Sequence, residues 1–261
     1  MRIPIYQVDA FASRLFSGNP AAVCPLDRWL PGDTLQSIAA ENNLSETAFF
    51  VSEDDKYRLR WFTPQAEVDL CGHATLASVF VIFTHLRPAL QEVSFRTKSG
   101  KLTVRRRERG FLALDFPARS PAPCGIHPGL IAALGATPEI VLAARDYLVV
   151  YESEEQVRAL RPNMQLLADT GRFAVIVTAP GRHADFVSRF FAPSQGIPED
   201  PVTGSAHCTL IPYWSMRLGK PQLHALQVST RGGELWCQDQ GARVEIAGCA
   251  VQYLDGFIHL D

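Results

Sequence analysis

Two glycines, Gly72 and Gly204, are each followed directly by a polar side chain that can hydrogen-bond or carry a proton. His73 follows the first glycine and Ser205 follows the second. A glycine lets a ligand approach the backbone closely, and the helix starts predicted just after both positions offer free amide groups to a small anion. The pattern predicts a site for a small carboxylate, whereas the simpler alternative is that each glycine only permits a tight turn.

Carboxylates lie near both motifs and can supply acid–base chemistry. Glu46 stands between a predicted helix end and an apolar strand, and Glu199 and Asp200 precede the second glycine. Acid and base groups on two sides of one substrate suit removal of a proton next to a carboxylate and its return elsewhere. His207 also follows the second glycine, but a histidine in apolar surroundings is more often a packed core residue.

The chain repeats itself at nearly half its length of 261 residues. Residues 71–76 (CGHATL) reappear as residues 203–208 (TGSAHC), and residues 97–102 (TKSGKL) reappear as residues 230–235 (TRGGEL). The shifts are 132 and 133 positions. A duplication of this kind predicts two similar lobes, with the site in the cleft where the two copies of the glycine motif meet.

Each lobe is predicted to contain several antiparallel strands around one apolar helix. In the first lobe that helix covers residues 74–85, which are apolar almost all round and therefore suit a buried position. The matching helix covers residues 206–218 and ends at Gly219. Another helix is predicted to begin with Asp33 as its N-cap.

A proline-rich segment at residues 119–125 marks the predicted boundary between the lobes. The first lobe is assigned residues 1–118, and residues 250–261 can return to it as its last strand. The second lobe is assigned residues 119–249. The fold class predicted from these elements is α+β.

Composition excludes several kinds of partner. A net charge of −2 gives no reason to expect nucleic acid. The most apolar stretch, residues 76–83, is far shorter than the roughly 20 residues that cross a bilayer. The start of the sequence lacks a signal-peptide pattern, and the six cysteines form no CxxC pair, which favours free thiols in the cytosol. A cytoplasmic protein without a membrane partner is expected.

Four motifs occur in a fixed order: residues 17–23 (SGNPAAV), 43–47 (NLSET), 71–75 (CGHAT) and 199–206 (EDPVTGSA). They resemble the phenazine-biosynthesis PhzF-like family, which has the diaminopimelate-epimerase-like fold. The resemblance runs from residue 1 to about residue 250. It implies two pseudo-symmetric lobes, each a curled and mostly antiparallel sheet around a central helix.

The resemblance also assigns roles to individual residues. It makes Glu46 the general base and acid, with His73 and Asp200 as the other catalytic residues. The substrate-binding residues that it implies are Asn19, Gly72, Gly204 and Ser205. It further implies a homodimer that isomerises a dihydro-hydroxyanthranilate-type substrate by moving a proton, with no cofactor and no metal.

Three alternatives remain open on the sequence. Cys71 occupies the first cysteine position of the epimerases, but Thr203 stands at the second and disfavours a two-cysteine racemase. A metal site from Cys71, His73, His207 and Cys208 is disfavoured, because adjacent residues on a helix point about 100° apart. A non-catalytic ligand-binding protein with the same fold is the third alternative.

Overall fold

The computed structural model describes residues 1–53 and 56–260. It divides into two compact units, one formed by Met1–Asp115 with Ala247–Asp261 and the other by Phe116–Ile246. The boundaries predicted from the sequence follow residues 118 and 249. None of the described helices is both long enough and apolar enough to cross a membrane.

The strands are β1 (Arg2–Ala10), β2 (Asn19–Leu26), β3 (Glu46–Glu53), β4 (Lys56–Phe62), β5 (Glu67–Val68), β6 (Glu92–Thr97), β7 (Gly100–Arg106), β8 (Leu112–Pro117), β9 (Ala122–Pro123), β10 (Ile140–Ala143), β11 (Tyr147–Val150), β12 (Val175–Pro180), β13 (Phe186–Ala192), β14 (Ile197–Asp200), β15 (Gln222–Gln227), β16 (Gly233–Asp239), β17 (Arg243–Gly248) and β18 (Ala250–His259). The α-helices are α1 (Gly32–Asn42), α2 (Gly72–Val81), α3 (Pro128–Leu134), α4 (Glu154–Ala159), α5 (Met164–Ala168) and α6 (Gly204–Leu218).

In the first unit the strands pair in the order β18, β1, β2, β3, β4, β6, β7 and β8. Parallel pairing joins β2 to β3 and β4 to β6, and the other pairs in this series are antiparallel. The short strand β5 pairs with β4. A parallel pair needs a crossover connection, and α1 and α2 lie in the two crossovers of this unit.

The second unit repeats the same alternation of pairings. Its strands follow the order β9, β10, β11, β12, β13, β15 and β16, with parallel pairing between β11 and β12 and between β13 and β15. Helix α6 lies in the crossover from β13 to β15, as α2 does in the crossover from β4 to β6. The repeat seen in the sequence is thus also a repeat of topology, and the predicted α+β class with mostly antiparallel sheets is confirmed.

Helix α2 and the first eleven residues of α6 are largely buried, as their apolar composition predicts. Every residue of α2 except Phe80 is buried. The chain continues from α2 through a π-helical turn, Ile82–Leu86. In α6 the buried Trp214 stacks on Phe186 of β13 and donates a hydrogen bond from Nε1 to Thr178 of β12. The first turn of each helix, where the candidate site residues lie, is buried except at Ser205.

Other local predictions need correction. The N-cap of α1 is Pro31, so the predicted N-cap role of Asp33 is wrong. Asp33 lies in the first turn instead, where a carboxylate is favourable near the positive end of the helix. Helices α3, α4 and α5 of the second unit are absent from the prediction, because helices of five to seven residues carry too little periodicity to be recognised.

Candidate active site

Strand β3 begins at the end of the sheet where β4 finishes and the chain runs on towards α2. Strand β3 is antiparallel to β4, and Thr47 at its start pairs with Phe62 at the end of β4. Strand β2 is parallel to β3, so Ala21 near its start pairs with Glu46. The chain reaches the first turn of α2 ten residues after Phe62. This topology brings residues from three separate motifs to one place.

A tight turn at Gly18 positions Asn19, the first residue of β2. Gly18 has φ of 69°, and a Cβ atom there would lie 2.2 Å from the carbonyl oxygen of Ala10. Both the conformation and the space therefore require glycine. Asn19 is fully buried as a result, and its side-chain amide reaches His73.

Glu46, His73 and Asn19 form a connected group in the first unit. Nε2 of His73 lies 3.0 Å from Oε2 of Glu46, and Nδ1 lies 3.1 Å from Nδ2 of Asn19. His73 is 4 % exposed and Glu46 is 9 % exposed. An amide can donate from its nitrogen or accept at its oxygen, so Asn19 suits either protonation state of the imidazole. The ring is thus held on one side while its other nitrogen faces the carboxylate.

Cys71 completes this group and changes its electrostatics. Its Sγ lies 3.5 Å from Nδ1 of His73. Burial raises the pKa of Cys71 to about 11, with Glu46 adding to the rise and His73 opposing it. Burial alone would lower the pKa of His73, but Cys71 and Glu46 beside the ring raise it well above its ordinary value. The neighbours of His73 thus favour the protonated ring, while burial favours the neutral thiol of Cys71.

The two motif glycines are not explained by backbone conformation. Neither Gly72 nor Gly204 is among the residues with positive φ. The alternative that each merely permits a tight turn is therefore not supported, since other residues could adopt these backbone angles.

The second unit holds Asp200 in a network around the start of α6. The hydroxyl of Thr203, the N-cap of α6, donates to Oδ2 of Asp200. Gln227, at the end of β15, accepts from the Thr203 amide at 2.8 Å and donates to the Asp200 carbonyl at 2.8 Å. The Thr203 hydroxyl also accepts from Nε2 of Gln227 at 3.2 Å, and it makes no capping hydrogen bond to α6.

Arg145 is a component of the second unit that the sequence analysis missed. Its Nε and Nη2 donate to the buried carboxylate of Asp146, each at 2.9 Å, and Nη2 also lies 3.3 Å from Oγ of Ser205. The guanidinium stacks 4.2 Å from the ring centroid of Phe173. Its Nη1 makes no hydrogen bond to the described residues. The sequence feature that marks Arg145 is an arginine–aspartate pair directly before the apolar run at Tyr147.

Two other residues considered near the second glycine have structural partners. Glu199 forms a two-point ion pair with Arg189 at 2.7 and 3.1 Å, and Arg189 also donates to the carbonyls of Val157 and Leu160. His207 is fully buried, and burial lowers its pKa to about 4. His207 is therefore a neutral core residue at neutral pH, in agreement with its apolar surroundings.

The predicted site residues thus fall into two groups, one in each unit. Asn19, Glu46 and His73 contact one another in the first unit, with Gly72 beside His73 in sequence. Asp200 lies at the end of β14 in the second unit, and Gly204 and Ser205 open α6.

Known proteins resemble the chain over its whole length. A family model described as phenazine biosynthesis-like protein (PhzC-PhzF) matches residues 8–256. An uncharacterized isomerase of Pseudomonas aeruginosa is 54% identical over 260 residues, and the match covers 100% of both chains. The crystal structure of a phenazine biosynthesis protein of the PhzF family from Enterococcus faecalis superimposes with a TM-score of 0.97 and 48% identity over 100% of both chains.

A more distant structure shows how far the fold extends. A predicted epimerase from Pseudomonas aeruginosa superimposes with a TM-score of 0.78 at 19% identity, covering 99% of this chain and 100% of that one. This match concerns the fold alone. The family model and the relatives above confirm the resemblance drawn from the four motifs, and the chain belongs to the phenazine biosynthesis-like (PhzF) family.

Proposed function

We propose that this protein is a cofactor-independent isomerase that moves a proton on a small carboxylate of the dihydro-hydroxyanthranilate type. The observation that carries the proposal is the 3.0 Å contact between the carboxylate of Glu46 and Nε2 of His73, inside a nearly buried group. Family membership supports the reaction class, because relatives at 46% and 54% identity carry the name isomerase.

In the proposed reaction, Glu46 accepts a proton from a carbon next to the substrate carboxylate. The electron pair of the broken C–H bond shifts the double bond, and Glu46, whose proton exchanges with solvent, delivers a proton to a second carbon. Nothing is oxidised or reduced, so the reaction balances without a redox partner. His73, whose pKa is raised beside Glu46 and Cys71, holds the carboxylate in place as an imidazolium.

Glu46 suits the role of base better than Cys71 does. A cysteine acts as a base or nucleophile through its thiolate. Burial raises the pKa of Cys71 to about 11, so the thiol stays protonated at neutral pH. The cysteine-dependent epimerase is for this reason the weaker alternative.

Within the second unit, Arg145 is proposed to recognise a carboxylate and Asp200 to act as an acid. Arg145 is anchored by Asp146 and Phe173, keeps Nη1 for a ligand, and contacts Ser205 at the uncapped start of α6. A guanidinium N–H can donate a charge-assisted hydrogen bond to a carboxylate, and Nη1 is the nitrogen that remains for it. Asp200, held by the Thr203 hydroxyl, is the proposed second acid–base residue of the family pattern.

The test is proton NMR in D₂O with wild type and the Glu46→Gln variant. Each is incubated with dihydro-hydroxyanthranilate and with a panel of small amino and hydroxy acids. Deuterium entering one carbon with wild type alone supports the proposal and identifies the substrate class. Binding of a compound without deuterium incorporation contradicts it and favours a non-catalytic ligand-binding protein.

A further inference from the structure

Three different metal-binding groups meet in the first unit. The carboxylate of Glu46, the thiol of Cys71 and the imidazole of His73 have one ligand atom each within 4.8 Å of one another. All three residues are at most 9 % exposed. Among the described residues this is the single cluster of three such donors. The mixture of oxygen, sulfur and nitrogen is one that Zn²⁺ accepts and Mg²⁺ or Ca²⁺ does not favour.

The three donors lie close together, but their spacing differs from that of a tetrahedral zinc site at Cys71. Zinc bonds of about 2.0 Å to nitrogen and oxygen and about 2.3 Å to sulfur place N and O about 3.3 Å apart, and S and N about 3.5 Å apart. The structure has 3.0 Å between Nε2 of His73 and Oε2 of Glu46, and 3.9 Å between Sγ of Cys71 and the same Nε2. Sγ lies closer to Nδ1, at 3.5 Å, so zinc bound by Nε2 requires the Cys71 side chain to rotate towards Glu46.

The surroundings of His73 also suit a metal ligand. A histidine that binds zinc through one ring nitrogen usually hydrogen-bonds through the other. Asn19 lies 3.1 Å from Nδ1, the nitrogen that faces away from Glu46. By turning its amide through 180°, Asn19 can accept a hydrogen bond from Nδ1 when Nε2 carries a metal.

We propose that Glu46, Cys71 and His73 bind one Zn²⁺ ion and that this ion inhibits the protein. Binding releases the Cys71 thiol proton and the Nε2 proton of His73 to solvent. Zinc then occupies the Glu46 oxygen that would accept a proton from substrate, and the fourth coordination position is left for water or a substrate carboxylate. The inhibition rests on the proposed function, whereas the binding does not.

The binding test uses full-length protein freed of metal with a chelator and titrated with Co²⁺, whose absorption reports ligand type. We expect a thiolate-to-cobalt charge-transfer band and tetrahedral d–d bands that saturate at one Co²⁺ per chain. One equivalent of Zn²⁺ should remove these bands. A titration without a thiolate band at this stoichiometry would overturn the proposal.

Matched variants assign the ligands. Cys71→Ser should abolish the charge-transfer band, while Cys124→Ser, which changes a partly exposed thiol outside the cluster, should leave it intact. Glu46→Gln should keep the band but weaken zinc binding at least about tenfold, and it serves as the test if Cys71→Ser fails to fold. The opposite result, a band lost in Cys124→Ser and kept in Cys71→Ser, would assign the metal to an adventitious surface thiol.

The inhibition test adds Zn²⁺ to the deuterium-exchange assay of metal-free protein. We expect one equivalent of Zn²⁺ to stop exchange and a chelator to restore it. Exchange that continues in zinc-saturated protein would overturn the inhibition. Absence of exchange in metal-free protein, together with an intact cobalt spectrum, would count against the proposed function while leaving the zinc site in place.

Discussion

Thr75 of α2 and His207 of α6 make the same hydrogen bond in the two units. Oγ1 of Thr75 donates at 2.6 Å to the carbonyl of Cys71, and Nδ1 of His207 donates at 2.8 Å to the carbonyl of Thr203. Each acceptor is the N-cap residue of its helix, four positions earlier. The duplication has therefore kept a bond that fixes the first helical turn, although threonine and histidine differ in chemistry.

The pKa of His207 predicts acid sensitivity of the fold. Burial lowers this pKa from 6.5 to about 4, and Nε2 has no hydrogen-bond partner among the described residues. A depressed histidine pKa contributes stability that is present above pH 6.5 and is lost as the pH falls towards 4. We expect a loss of about 3 kcal/mol in the free energy of unfolding over that range, measured by urea denaturation.

The His207→Asn variant isolates this contribution. Asparagine can offer its amide nitrogen near the position of Nδ1 but does not titrate, so the variant should lack this part of the pH dependence. His183→Asn, which changes an exposed histidine, should behave as wild type. Equal pH dependence in His207→Asn and wild type would contradict the assignment.

Glu67 is expected to stabilise the first unit. Arg60 donates to both of its oxygens at 2.7 and 2.9 Å, and this hydrogen bonding holds the pKa of Glu67 at about 2 instead of 4.5. Glu67→Gln should cost about 1.5–3 kcal/mol at pH 7. The lowered pKa means that the difference from wild type shrinks below pH 4.5 and vanishes near pH 2.

The control for Glu67 is Glu53→Gln, since the ion pair of Glu53 with Arg58 is longer, 3.4 Å, and both side chains are exposed. That change should cost less than about 1 kcal/mol. Urea denaturation of both variants at pH 7 and pH 4 provides the comparison. An equal loss in the free energy of unfolding for the two substitutions at pH 7 would show that the Arg60 contact stabilises the fold no more than the exposed Glu53 pair does.

Arg145→Lys should impair substrate binding more than turnover. Lysine retains the charge beside Asp146 but loses the planar fork, and a lost charge-assisted hydrogen bond of about 1.5–3 kcal/mol raises KM about 10- to 100-fold. The matched control is Arg172→Lys, because Arg172 stacks on Tyr147 and donates to the Ala144 carbonyl. Steady-state kinetics in which both variants retain wild-type KM would show that Arg145 does not bind the substrate carboxylate.

The sequence predicted the parts of the fold that depend on local pattern. The apolar runs after Gly72 and Gly204 predicted α2 and α6, and Gly219 ends α6 with φ of 66° as a left-handed C-cap. The four motifs predicted the family. Each of these signals lies within a few neighbouring residues, where periodicity and turn chemistry are readable.

Contacts between segments that are far apart in the chain could not be predicted from the sequence. Glu46 and His73 are 27 positions apart, and their 3.0 Å contact depends on the parallel register of β2 with β3 and on where the crossover places α2. Gln227 and Arg145 reach the start of α6 from β15 and from the residues before β11. No local pattern marks residues of this kind, because their role arises from the topology.

The rate of proton transfer in Glu46→Gln, measured on the compound that takes up deuterium with wild type, tests most directly whether Glu46 carries the proton. We expect kcat to fall by about 10²–10⁴-fold while the dissociation constant of that compound changes less than about threefold. Glu41→Gln, an exposed change in α1, should match wild type. Near wild-type turnover in Glu46→Gln would show that another group carries the proton.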